Sequence, residues 1–149
     1  METFFNASDR AAIELRLAAL QPSSVRQWGK MNPGQAIAHC AAAMEMACGI
    51  RKKDQAVIGR IFAPFVKARF LGDKPFGRNG PTDPDLIVAN ERDLAAERAR
   101  MLSLIDQFYR SGEAGAAGKV HSFFGRLRGD EWGRLMYKHL DHHLRQFGA

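Results

Sequence analysis

The sequence predicts an all-α protein, a four-helix bundle with an additional short N-terminal helix. Apolar residues recur at spacings of three and four along most of the 149 residues, and Ala and Leu dominate over β-branched types. No segment alternates apolar and polar residues as a half-buried strand does, so we expect no strands. A chain of this length suits one domain spanning residues 1–149.

Start signals place the first two helices. The first is predicted to begin after Ser8 as its N-cap and to end near Leu20. The second should begin after Asn32, with Pro33 in the first helical position and Gln35 completing a capping box.

The second helix is apolar almost all round. Between residues 36 and 48 only His39 and Glu45 are polar, and Gly49 suits the exit from the helix. A helix of this kind is covered on several sides, so we expect it to be central and His39 to be buried.

The middle of the chain is predicted as two helices around a long connector. The third helix runs from about Gln55 to Leu71, where Pro64 should kink or split it. The connector at 72–88 is rich in Gly, Pro and Asp; a surface crossover is the simpler interpretation, and a lid over a site is the alternative. Asn90 is expected to cap the fourth helix, whose inward stripe is Leu94, Met101, Ile105 and Phe108.

Composition excludes several classes of protein. The net charge is +6, but the basic residues are scattered along the chain, and the longest basic run, at 51–54, lacks interleaved aromatics, so a nucleic-acid partner is not expected. Cys40 and Cys48 lie too far apart along a helix to form a disulfide. The N-terminal residues do not resemble a signal peptide and no apolar run is long enough to cross a bilayer, so we expect a cytoplasmic protein without a membrane partner.

The last helix, from about Asp130 to Phe147, carries three of the five histidines. At 100° per residue, His139 and His143 share one face, while His142 falls on its flank. The same inward face includes Trp132, Leu135, Met136 and Gln146. The opposite face is charged and should meet water; it consists of Arg134, Lys138, Asp141 and Arg145.

Two imidazoles one helical turn apart can bind one metal ion, and His139 and His143 have this spacing. A third ligand must come from another element: His39 is the first candidate and His121 the second, whereas Cys40 points 100° away from His39 and should pack in the core. Three histidines would leave coordination positions open for water or substrate. The alternative is that each histidine satisfies a core hydrogen bond, and the glutamate of the HExxH zinc protease motif is missing.

Two segments carry a family resemblance. The stretches "WGKMNPGQAIAHC" and "HSFFGRL…EWGRLMYKHLDHHLRQFG" resemble the signatures of the DinB-like superfamily, which includes YfiT-like metal-dependent hydrolases, and within it a family of unknown function. The resemblance covers essentially the whole chain and implies a four-helix bundle with one metal held by His39, His139 and His143. Ser122 departs from the pattern, because proline commonly follows the histidine at this point.

The resemblance implies a metal-dependent enzyme of hydrolase or thiol-dependent transferase type, with zinc or nickel as the metal. A low-molecular-weight thiol is an implied substrate, and homodimers are common among such bundles. Gln146, and less directly His142 and His121, are possible supporting residues around the ligands, although a helix-end packing role suits Gln146 equally well. The sequence offers no acid or base for catalysis, which favours the alternative of a non-catalytic bundle that binds a metal or another ligand.

Overall fold

The computed structural model describes residues 1–149, and its architecture is that of an all-α bundle, as predicted. The five helices are α1 (Ala7–Ala19), α2 (Pro33–Ala47), α3 (Val57–Leu71), α4 (Leu94–Ala116) and α5 (Gly129–Gln146). A 3-10 turn at Pro84–Leu86 and two short strands, β1 (Val120–His121) and β2 (Gly125–Arg126), complete the fold.

Helix α2 lies at the centre, between α4 and α5. The Asn32 side chain accepts from the Gln35 backbone amide at 2.9 Å, and the Gln35 side chain accepts from the Asn32 amide at 2.9 Å. Gly49 leaves the helix at φ +77°, a conformation in which glycine carries no Cβ penalty. The predicted start and exit are therefore confirmed, and so is the burial of His39.

Two predicted caps were wrong by two or three residues. Helix α1 is capped by Asn6, whose side chain accepts from two first-turn amides, while the Ser8 hydroxyl only donates to the Asn6 side chain. Helix α4 is capped by Asp93 instead of Asn90. In both places several residues suitable for capping lie close together, so sequence alone does not select among them.

Helix α3 starts at Val57, two residues later than predicted, and continues through Pro64 without splitting. Pro64 and Arg60 are both exposed, so the Arg60 carbonyl, which loses a hydrogen bond at this proline, lies on the solvent side of the helix. The helix lies against the segment that links β1 and β2: a Cβ on Gly59 would lie 2.2 Å from the Phe123 carbonyl oxygen. Close approach at this point requires glycine.

The expectation of no strands was wrong at one point. Strands β1 and β2 form an antiparallel pair in which Val120 faces Arg126 and His121 faces Gly125. Each strand has two residues, which is too short for an alternating pattern to appear in the sequence. The hairpin places His121 beside the Trp132 ring of α5, with centroids 5.5 Å apart.

The charged face of α5 meets other elements as well as water, which corrects the prediction. Lys138 Nζ donates to the carbonyl oxygens of Phe70 and Gly72, each at 2.6 Å, and so holds the end of α3. Asp141 accepts from Arg16 of α1 at 2.7 Å. Charged side chains on this face therefore bind α1 and the end of α3. These contacts are the reason that the charged side chains are partly buried.

None of the five helices is both long enough and apolar enough to cross a lipid bilayer.

Replacement of Gly59 by Ala should destabilise the protein, although the same change in the interior of a helix ordinarily stabilises it. The added Cβ would overlap the Phe123 carbonyl oxygen and force α3 away from the hairpin, at a cost of about 1–3 kcal/mol in the free energy of unfolding. Urea denaturation measures the change. Gly77→Ala is the control, because a Cβ there meets nothing within 4 Å; equal stability of the two variants would contradict the packing described.

Candidate metal centre

Three histidines meet between the central helix and the last helix. His39 comes from α2, and His139 and His143 come from α5, one turn apart. One ring nitrogen from each lies within 4.8 Å of the others. The structure thus brings together the three residues that the sequence selected.

The His39 ring is oriented by a backbone carbonyl. Its Nδ1 lies 2.8 Å from the carbonyl oxygen of Leu86, in the 3-10 turn. A carbonyl can only accept, so Nδ1 carries the proton and Nε2 presents a lone pair to the other histidines. Sequence reasoning missed Leu86, since a backbone acceptor leaves no trace in residue type.

The His143 ring is oriented by Gln146. His143 Nδ1 lies 2.8 Å from Gln146 Oε1, and Gln146 Nε2 donates to the Trp28 carbonyl oxygen at 2.8 Å. Gly29 makes room for this amide: it has φ +75°, and a Cβ there would lie 2.4 Å from Gln146 Nε2. Gln146 therefore leaves His143 Nε2 free to face the cluster, which is the contact expected of a residue that supports a metal ligand.

His139 completes the cluster at close range. Its Nε2 lies 2.9 Å from His39 Nε2. Without a metal this contact is a hydrogen bond from His139, because His39 Nε2 has no proton to give. Tetrahedral coordination with bonds of 2.0–2.1 Å separates ligand nitrogens by about 3.3 Å, so small movements of the rings would accommodate an ion. The donor set thus fits a divalent transition metal.

Burial keeps these imidazoles neutral. Desolvation is the main cause of a lowered pKa at all three residues: it lowers the pKa of His39, lowers that of His139 well below its usual value, and lowers that of His143 to about 3. Charge repulsion adds to this effect: His39 and His143 lower the pKa of His139, and His39 lowers the pKa of His143. Neutral imidazoles are the form that binds metals, so the cluster is prepared for an ion at neutral pH.

The other candidate residues lie outside the cluster. His121 Nδ1 accepts from the backbone amides of Phe123 and Phe124 at 3.0 and 3.2 Å, so this ring is held by its own hairpin. His142 lies on the flank, as predicted, with its ring centroid 5.1 Å from that of His143. Cys40 is buried in the core, and burial raises the pKa of its thiol.

The 72–88 connector contributes to the surroundings of the cluster in addition to crossing the surface. Leu86 binds His39, the Phe76 ring lies 6.0 Å from the His142 ring, and the Arg78 guanidinium lies 4.4 Å from the centre of the Trp28 ring. Lys53 anchors the same connector through Asp83 and Asp85. The connector therefore crosses the outside of the bundle, and these contacts also place it beside the histidines.

A surface cleft lies elsewhere on the bundle. It has a volume of about 450 Å³ and is lined by residues from the α1–α2 connection, by the start of α2 and by Phe147. It contains none of the histidines, so the candidate site is defined by the convergence of its donor atoms.

The fold and the cluster define a helical-bundle protein with three histidines that can hold a metal ion. The chain belongs to the protein family DUF1569, described as a protein of unknown function, whose sequence model matches residues 2–149. Comparison with curated proteins and with solved structures gave no match.

The metal-free protein should lose stability as the pH falls below the ordinary histidine pKa of 6.5. The unfolded chain takes up protons there, whereas folded His143, with a pKa of about 3, does not; the difference at pH 5 is about 2 kcal/mol for this residue relative to pH 7.5. Urea denaturation at the two pH values, in the presence of a chelator, measures it. His143→Gln should show a correspondingly smaller loss, and an identical loss in the variant would contradict the assignment.

Proposed function

We propose that the chain is a metal-dependent enzyme of the DinB-like superfamily, of hydrolase or thiol S-transferase type, formed by one domain over residues 1–149. His39, His139 and His143 are the metal ligands, and the remaining coordination positions take water or substrate. The observation that carries the proposal is the convergence of three imidazole nitrogens within 4.8 Å, from two buried histidines and one half-buried histidine.

The three ligands are orientated for this task. The Leu86 carbonyl oxygen accepts from His39 Nδ1, and Gln146 Oε1 accepts from His143 Nδ1. Nε2 of each of these two histidines is therefore the atom that would bind the metal. Such partners fix the tautomer and raise the basicity of the ring. A three-nitrogen donor set suits zinc or nickel, and three protein ligands leave at least one position open.

A divalent metal at this site would lower the pKa of a bound water or thiol and supply hydroxide or thiolate at neutral pH. The protein's part is to keep three imidazoles neutral and to hold them in position. The His142 ring lies beside His143 and contacts the Phe76 and Trp28 rings on its other sides. The three histidines form no hydrogen bond to a carboxylate. This favours a reaction in which the nucleophile is activated without a carboxylate base, and a low-molecular-weight thiol is a substrate that meets this condition. Both cysteines are free, which agrees with a reducing compartment such as the cytoplasm.

The absence of a carboxylate bound to the three histidines also supports a second candidate, a non-catalytic bundle that binds a metal or another ligand. A binder and an enzyme would share the ligand set and differ only in turnover. Screening of the metal-loaded protein with small thiols and electrophiles separates them, because a binder would show thermal shifts without product.

Purified protein supplied with zinc or nickel should contain about one metal ion per chain by elemental analysis. His39→Ala, His139→Ala and His143→Ala should each lose most of it, since two histidines form half a site. His142→Ala is the matched control and should keep the metal, because its ring lies on the flank of the cluster. Wild-type protein that takes up no metal after supplementation would refute the proposal.

Removal of the Gln146 amide should weaken metal binding by about 10–100-fold without abolishing it, as is usual when a supporting partner of a ligand is lost. Competition with a chromophoric chelator compares Gln146→Met with wild type. Gln107→Met on the exposed side of α4 is the control for the substitution. Unchanged affinity in Gln146→Met would show that Gln146 only packs the end of α5.

A further inference from the structure

We propose that Arg78 and Trp28 bind a carboxylate of the substrate beside the metal site. This inference rests on the proposed function, because it names the class of substrate that the same site would take: a small thiol, or a small electrophile, that carries a carboxylate.

Arg78 presents a cation that has no counterion within the chain. Its guanidinium lies over the Trp28 ring at 4.4 Å from the centroid, and it takes part in none of the ion pairs of the protein. A guanidinium on the face of an indole ring can still donate through the N–H groups at its edge. A planar fork of donors matches the two oxygens of a carboxylate.

Trp28 supplies a second donor. Its Nε1 is the only buried side-chain nitrogen or oxygen in the chain that lacks a hydrogen-bond partner. A buried donor without a partner destabilises a folded protein, so each such group calls for an explanation. A ligand that displaces the groups covering this atom and accepts from the N–H would provide one; an indole N–H can only donate, which again selects an acceptor such as a carboxylate oxygen.

The position of these groups ties them to the candidate metal site. The Trp28 ring lies 5.5 Å from the His142 ring, which lies 5.1 Å from the ring of the proposed ligand His143. The backbone of Trp28 accepts from Gln146, the partner of His143. After Arg78, Asn79 has φ +55°, so the connector turns sharply where the guanidinium is presented. A substrate held by its carboxylate here would lie with its other end near the histidines.

Cobalt-reconstituted protein gives a direct test with two thiols of similar size. The sulfur-to-cobalt charge-transfer band is titrated with 3-mercaptopropionate, which carries a carboxylate, and with 2-mercaptoethanol, which does not. Wild-type protein should bind the acid about 10-fold more tightly. Arg78→Gln should abolish this preference, Arg78→Lys should retain part of it, and Arg60→Gln should keep it in full, because Arg60 is an exposed cation on α3. Equal affinities in wild type, or a preference that survives in Arg78→Gln, would overturn the inference.

Trp28→Phe distinguishes a binding role from a structural one. The variant keeps an aromatic ring under Arg78 and removes the unpartnered N–H. The preference for 3-mercaptopropionate should fall, while the urea midpoint of the metal-free protein should stay level or rise. A lowered midpoint with the preference intact would assign Trp28 to packing alone.

A third measurement separates failure of this inference from failure of the proposed function. Metal-free wild-type protein is titrated with succinate, and tryptophan fluorescence reports on Trp28 by difference from Trp28→Phe. A saturable change that is absent from Arg78→Gln would support the carboxylate site even if neither thiol reached the cobalt. No change with succinate, together with cobalt bands that do not depend on the thiol's charge, would leave the metal site standing and reject the carboxylate site.

A separate observation concerns the outer face of α3, and from it we infer that two copies of the chain associate through this face. Five large apolar side chains form one stripe on it, each with at least half of its surface exposed: Val57 at 70%, Ile58 at 60%, Ile61 at 56%, Phe62 at 51% and Phe65 at 81%. Continuous patches of this kind mark interaction surfaces.

The area of the stripe favours a second copy as the occupant. The stripe offers on the order of 600 Å² per chain, so two chains would bury about 1,200 Å², the lower end of the range for specific interfaces. Two α3 helices related by a two-fold axis would bring the same five side chains of each chain together.

Light scattering at increasing protein concentration tests the dimer. Wild-type protein should reach twice the 16.6 kDa mass of the chain, and Phe65→Glu should remain at the single-chain mass. Leu15→Glu is the control, because Leu15 is a 74% exposed residue on α1, outside the stripe, and this variant should still dimerise. A monomeric wild type, a dimer that persists in Phe65→Glu, or binding of monomers to anionic phospholipid vesicles through α3 would overturn the inference.

Discussion

Desolvation of the His39 imidazole is the constraint on which the arrangement of this molecule depends. His39 lies on a helix that is buried on nearly every side, and an imidazole in such a place needs partners for both of its nitrogens. One partner is a carbonyl that the chain brings in with a 3-10 turn, and the other is a histidine on α5. The centre of the bundle, the connector outside it and the last helix are therefore positioned around one ring.

Much of the fold follows from local rules that the sequence displays. The capping box at Asn32 and the apolar length of α2 predict both where this helix begins and that it is central. The spacing of His139 and His143 predicts that they share a face, because 100° per residue is a property of the helix and needs no tertiary information. His39 could be paired with them because it is one of only two polar residues between positions 36 and 48.

What the sequence leaves undetermined depends on contacts between distant segments. Leu86 acts through its backbone oxygen, which every residue possesses, so nothing in its identity marks it. Trp28 likewise accepts from Gln146 through its backbone carbonyl oxygen. The capping residues were misplaced where Asn, Ser and Asp are close neighbours, and the exposure of α3 was not predicted because an apolar stripe looks the same whether it faces the core or another molecule.

The hydrogen bonds around Gln146 have a consequence for the protons of the cluster. A primary amide has one accepting end and one donating end, and the Trp28 carbonyl, which cannot donate, fixes which end points toward it. The oxygen must then face His143, and His143 must carry its proton on Nδ1. If the amide were reversed, the proton would move to Nε2, the atom that faces the other two histidines. A backbone carbonyl in the α1–α2 connection thus determines, through two hydrogen bonds, which lone pair the last helix offers to its neighbours.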